Sequence, residues 1–358
     1  MCYRTKMPSE ETKVVATSSA SARIIATGIV IAFCYFASTV LVTLLVSVLM
    51  AYFLDPVVSW MENWRIPRAL GSLLVVLVTL ALLVVLGWSL VDRFDQFGRD
   101  WPSYRKPLRA AAETLQKRME WFEARVSEIE PAEHPGQRVP EVAESHPVRA
   151  ALLDRLSSVY TFLLAATFVP FLLFFMLAAK RQLWHATMQL FPPTQRTQVK
   201  QTLSDVTQVL RSYVIGTALV ALILVVSSWL FFWGIGLDFP FLTGLVSGLF
   251  NLVPYLGVVL AWTPPLLIGL KQFHTVGPFL GIFAMLAFLH LVTANFLIPA
   301  LIGWRVRLNA LALTVALLFW GWLWGAVGLI LAIPITAVIK VICDHVEGWQ
   351  PVGRWLSA

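Results

Sequence analysis

Phe241-Leu-Thr-Gly-Leu-Val-Ser-Gly-Leu-Phe250-Asn-Leu-Val-Pro-Tyr-Leu-Gly257-Val-Val-Leu-Ala-Trp-Thr-Pro-Pro-Leu-Leu-Ile-Gly-Leu270 is a run of 30 residues without a charge. As one straight helix it would be about 45 Å long, against a bilayer hydrocarbon core of about 30 Å. The run is interrupted near its middle, at Asn251-Leu-Val-Pro254-Tyr255-Leu-Gly257. The flanks of about 10–16 residues span only about 15–24 Å each. Broken helices at membrane depth survive only where they are buried in protein or face a wet cavity, because lipid cannot satisfy the freed backbone groups. In secondary transporters such breaks commonly form the substrate site.

Working outward, the residues from Ser212 to Ile339 carry only Asp238, Lys271, Arg305 and Arg307 as formal charges. The apolar segments there are 213–235, 241–270, 278–300 and 310–339, and the last carries Gly321, Gly325 and Gly328 before Ile333-Pro334. If 241–270 and 310–339 both span, Arg305 and Arg307 fall outside, against the positive-inside rule. If both are re-entrant hairpins entering from opposite faces, those arginines are cytoplasmic, and this is the preferred reading. The expected break positions are Pro254 with Gly257, Pro299, and Gly325 with Gly328 and Pro334.

The whole chain agrees. It has 358 residues, 58% hydrophobic and 13% charged, with 15 Trp and 23 Phe. A soluble domain carries about twice that charge, and a soluble monomer of this make-up would expose large apolar patches. The pattern predicts an all-α polytopic membrane protein with seven or eight hydrophobic segments, two of them broken or re-entrant in the C-terminal half. The net charge of +7 sits beside apolar spans, which fits anionic headgroups better than nucleic acid. Cys2, Cys34 and Cys343 are far apart and the six histidines form no HxxH pair, so neither a metal nor a cofactor is expected.

Residues 1–20 read as a retained polar tail, followed by an N-terminal transmembrane region over 21–91. No charge occurs from Ile24 to Leu54, a stretch best read as two closely connected helices turning near Ser38–Thr39, and a clean span follows at 69–91. Residues 92–155 hold eleven Lys/Arg and twelve Asp/Glu, predicting a helical extramembrane insert. Leu108, Ala112, Leu115, Met119, Phe122, Val126 and Ile129 keep a 4,3 spacing that puts them on one helical face. That face lies on its own domain or mediates subunit contact in a homo-oligomer. A core over 156–340 and a tail over 341–358 complete the chain. The stretch 180–211 has five basic residues and one acid, which places it, with both termini, in the cytoplasm. Within it an amphipathic surface helix is expected over 192–212, with Val199, Leu203, Val206, Leu210 and Tyr213 as its stripe.

Thr243, Ser247 and Asn251 are spaced i, i+4, i+8 and line one face leading to the break. Asn251 carries the most weight, because a mid-membrane amide needs partners, although interhelical bonding satisfies it as well as a substrate does. Gly244 and Gly248 read as helix packing. His290 shares a face with Thr293 and serves either as a proton relay or as a neutral bonded group. Asn295 precedes Pro299, and Tyr255 at the break either binds substrate or caps backbone groups.

Asn251-Leu-Val-Pro-Tyr-Leu-Gly257, Asn295-Phe-Leu-Ile-Pro299 with Gly303, Leu308-Asn309 and Phe319-Trp-Gly-Trp-Leu-Trp-Gly325 through Ala332-Ile-Pro334 resemble the autoinducer-2 exporter (AI-2E, PerM-like) family. So do Ala51-Tyr-Phe-Leu-Asp55-Pro56 and Pro67-Arg68 near the start. The resemblance implies a multi-pass transporter of the bacterial inner membrane; some members are described as exporting autoinducer-2, others as sodium(lithium)/proton antiporters. Two positions depart from the pattern: Thr293 stands where many members carry Glu, and Val258 where a Pro often follows. The leading expectation is a secondary transporter or exporter of a small polar, largely uncharged metabolite, in contact with the lipid bilayer. Cation/proton antiport and a scaffold acting through 92–155 are the alternatives. No nucleophile–base pair, metal cluster or phosphate loop points to an enzyme.

Overall fold

A computed structural model of the chain describes residues 20–88, 91, 98–99, 166–251, 253, 256–302 and 308–357. These residues are mostly helical, joined by short turns, with no strand among them. The helices are α1 (Ala20–Phe36), α2 (Ser38–Asn63), α3 (Arg68–Trp88), α4 (Ala166–Ala178), α5 (Lys180–Gln189), α6 (Arg196–Gly234), α7 (Pro240–Phe250), α8 (Leu256–Gln272), α9 (Val276–Val292), α10 (Ala310–His345) and α11 (Gln350–Ser357). Five are long and apolar enough to cross a membrane: α2, α3, α6, α9 with its continuation to Ile302, and α10. The pair α4–α5 is bent by 73° at Ala179 and would make a sixth if it crosses as one span. The protein is a polytopic, all-helical membrane protein. The insert over 92–155 and its stripe lie outside the described residues, save for positions 98 and 99.

The charge-free run from Ile24 divides at Ala37, whose ψ of 14° leaves the helical range. Bonds from Ala37 N to Phe33 O and from Leu41 N to Ala37 O continue the ladder across the junction, so a bend separates α1 from α2. α1 touches the remainder through Cys34, whose carbonyl accepts from Trp324 Nε1 at 3.1 Å, and through Tyr35 stacked on Trp322.

Two packing centres follow from the apolar faces. One joins Leu54, Val58 and Met61 of α2 to Val75 and Val76 of α3 and Leu173 and Leu177 of α4. The other joins Phe232 of α6 to Ile268 of α8 and Ile282 and Leu286 of α9. α6 is the spine of the C-terminal half and corrects one expectation. The amphipathic helix expected over 192–212 is not a separate element, because it runs unbroken into the following span as one helix of 39 residues. No Gly or Pro occurs between Arg196 and Ile215 to stop propagation. Of the anticipated stripe, Leu210 is buried, and Val206 packs against Ala337 and Val341 of α10 together with Val209, which lies outside the stripe.

Both broken segments double back. In the first, Ser247 Oγ donates to Ala261 O at 2.7 Å, although 14 helical residues would separate them by about 21 Å. The base closes too: Gln272 Oε1 accepts from Asp238 N at 2.8 Å, and its amide donates to Gly236 O. In the second, α10 leaves the helical range at Trp324 (φ −130°, ψ 15°) and Gly325 (φ 62°, ψ −140°). Beyond that point Trp320 Nε1 reaches Thr336 Oγ1 at 3.3 Å, and the Gly328 Cα sits so close to Trp320 O that a Cβ would overlap it. Asn309 ties the start of α10 to the end of α11: its backbone N–H donates to Leu356 O and its Nδ2 to Trp355 O. Its Oδ1 also caps α10 by accepting from Ala312 N at 2.6 Å.

Two of the expected break positions are otherwise. Pro334 is buried inside the second arm of α10 without interrupting it. Pro299 lies within a π-helical stretch, Thr293–Ile302, that continues α9 in a wider winding. A proline removes one donor, whereas reversal of the chain needs a residue tolerant of positive φ, and Gly325 supplies it. Gly257 does sit at a reversal, its Cα pressed against Phe250 O; Pro254 and Tyr255 lie outside the described residues.

Candidate functional site: the first hairpin and its cavity

The α7–α8 hairpin is held against α6 by the glycines expected to pack. A Cβ at Gly244 would come within 2.6 Å of the Trp229 backbone, and one at Gly248 within 2.7 Å of the Val225 nitrogen. This backbone-to-backbone contact carries the α7 face with Thr243, Ser247 and Asn251 into the interior. Thr243 and Ser247 are buried. Thr243 Oγ1 donates to Phe239 O in its own helix at 2.9 Å.

Ser247 has a more particular task. Pro265 lacks the N–H that would bond to the carbonyl four residues earlier, which is Ala261 O. The Ser247 hydroxyl donates to that oxygen, so it satisfies an acceptor that α8 leaves open at depth. Its own lone pairs remain available.

Asn251 is the C-cap of α7, half-buried, and its side-chain amide makes no hydrogen bond to a described residue. It lines a cavity of about 10 Å³ with Ser247, Ser228 of α6, Trp262 of α8 and Leu289 of α9. That is room for about one water. Of the residues expected at the site, the fold therefore gathers Ser247 and Asn251 around one void, with Thr243 a turn away.

His290 and Asn295 are not gathered there. The buried face of α9 runs through Ile282, Leu286, Leu289 and Thr293, and His290 lies one position off it, exposed. Asn295 is also exposed and donates to its own backbone at Leu291 O, 2.8 Å away. Thr293, where the resemblance led one to expect a carboxylate in many members, is buried with no partner for its hydroxyl among the described residues. Ser228 and Trp262 carry no signal in the sequence, since serines in apolar spans commonly bond their own backbone.

The family is settled by the length of the match. A model of the AI-2E family transporters matches residues 24–348. The chain belongs to the AI-2E transporter family. YrrI of Bacillus subtilis (strain 168) is 28% identical over 319 residues, covering 86% of each chain. TqsA of Escherichia coli (strain K12), named an AI-2 transport protein, is 26% identical over 325 residues, covering 90% of each. The match spans both hairpins and the charged cluster near the start of the chain, the one part of this family member that sequence reasoning left without a role.

That cluster is built around Asp55, which is 7% exposed. Its Oδ1 accepts from Arg68 Nη2 at 2.7 Å and its Oδ2 from Lys180 Nζ at 2.6 Å. Arg68 also bonds Glu62 at 2.8 Å and donates from Nε to Leu177 O at 2.7 Å, capping the C-terminal turn of α4. Arg181 approaches Glu62 at 3.4 Å. Asp55 and Lys180 are 125 residues apart in the chain, so no spacing rule could pair them.

Proposed function

We propose that this chain exports a small, polar, largely uncharged solute of the autoinducer-2 kind across the bacterial inner membrane, with both termini in the cytoplasm. The observation that carries the proposal is the place of Asn251: an amide at the reversal of a hairpin, with no partner for its side chain among the described residues, lining a void that Ser228 and Ser247 share. Hydroxyls and an amide bond a sugar-like solute without demanding a counter-ion, which suits a half-molecule with four formal charges over 128 residues, Ser212 to Ile339. The name of TqsA points the same way. Neither antiport nor scaffolding gains support from it, and Asp238 is exposed at the hairpin base.

A void of about 10 Å³ admits no solute as it stands, so on this reading α7–α8 parts from α6 and α9 during transport. The test is efflux of autoinducer-2 from cells overexpressing the protein. Expression should speed efflux, and Asn251→Ala should cut that gain about tenfold, the loss expected for one buried hydrogen-bonding anchor. Equal retention with and without the protein would sink the proposal.

A further inference from the structure

A cavity of about 470 Å³ lies away from the hairpins, between α2, α4, α5 and α6. It is within the range of small-molecule sites, about 300–1,000 Å³. Its polar groups are Asp55, Lys180, the Tyr52 hydroxyl, Thr207 and Thr187, with Ser204 at an exposed position of the rim. Trp184 and Leu183 belong to its apolar wall.

We propose that this cavity binds a neutral, hydroxyl-rich solute with one apolar face and is the loading site for the solute that the hairpins move; the second clause rests on the transport reading above. The charges argue for neutrality. Asp55 and Lys180 balance each other across 2.6 Å, and behind them Arg68 balances Glu62. An anion would have to compete with Asp55 for Lys180, and a cation with Lys180 for Asp55. A neutral hydroxyl does neither. A carboxylate offers about four acceptor positions, two of which Arg68 and Lys180 occupy. A solute hydroxyl donates to a third, while its ring or carbonyl oxygen accepts from a remaining Lys180 proton. Tyr52 OH and Thr207 Oγ1, 3.3 Å apart, supply a donor and an acceptor on the facing wall. The C–H face of a furanose fits the half-buried indole of Trp184. The cavity lies on the side of the basic stretch 180–211, the face from which an exporter fills.

Equilibrium dialysis of radiolabelled, borate-free autoinducer-2 against the full-length protein in nanodiscs tests this. Saturable binding is expected. Ser204→Trp, which fills the cavity from an exposed position, should weaken it at least about tenfold, and Tyr52→Phe about three- to tenfold. Leu82→Trp, on the exposed face of α3, should leave it unchanged. Absence of saturable binding, or wild-type binding by both Ser204→Trp and Tyr52→Phe, overturns the site. Cellular efflux separates the two proposals. Binding that the cavity variants weaken, in a protein that moves no solute, keeps the site and discards transport. Efflux with cavity variants that bind normally discards the site and keeps transport.

Discussion

Single residues decide where this chain turns and where it holds its charge. Gly325, at φ 62° and ψ −140°, occupies backbone space that a Cβ resists. Gly325→Ala should therefore destabilise the protein by about 1–3 kcal/mol, whereas Gly277→Ala, with open space around it, should stay within about 0.5 kcal/mol. Thermal unfolding of the two variants in the same detergent compares them directly. Asp55 is the second such residue. Asp55→Asn removes one of the two carboxylates paired with the largely buried Arg68, together with the one paired with Lys180, and should cost about 2–4 kcal/mol, while Lys180→Met should cost less because the Lys180 side chain is 42% exposed. The same unfolding measurement ranks them. The sequence carried the first of these signals openly, as a glycine directly after Trp320, Trp322 and Trp324. It carried the second only in part: Asp55-Pro56 and Pro67-Arg68 are visible as family-like residues, but Lys180 of α5, the second cation on Asp55, comes from beyond the insert.

At the scale of elements, the decisive fact is that two apolar runs reverse within themselves. A hydropathy reading finds such runs and their interruptions, because charge and broken periodicity are local. It misplaces the interruption when it weighs every proline equally. Pro265 and Pro334 are absorbed into helices, the former with Ser247 serving the carbonyl it frees, while the reversals fall near Gly257 and at Gly325. The period of 3.6 also ends at Val292, where the winding widens into a π-helical stretch. The reversal of α7–α8 is testable by chemistry. With the native cysteines removed, Ser247→Cys together with Ala261→Cys should form a disulfide on mild oxidation, read as protection from a thiol-reactive polymer on a gel. A disulfide requires Cα atoms within about 7 Å, against about 21 Å in a straight helix, so complete labelling after oxidation would mean the segment is extended.

For the whole molecule, the four charges between Ser212 and Ile339 and the balanced cluster around Asp55 describe a division of labour: an almost charge-free half containing both hairpins, and an ion-paired region set beside a larger cavity. The membrane class and the apolar segments were legible in composition alone. The second cavity was not, because its walls come from four helices that only packing brings together. The doubling back of both segments has a further consequence, one of parity. An element that leaves on the side it entered contributes nothing to the number of crossings, and two such elements change the count by an even number. A marker at the chain's end is thus blind to whether these segments reverse or traverse, since both arrangements return it to the same compartment. The information resides entirely at the two ends of α9. A cysteine at exposed His274 should react with an impermeant reagent from the external side, and one at Leu308 only from within; a straight traverse would exchange the two.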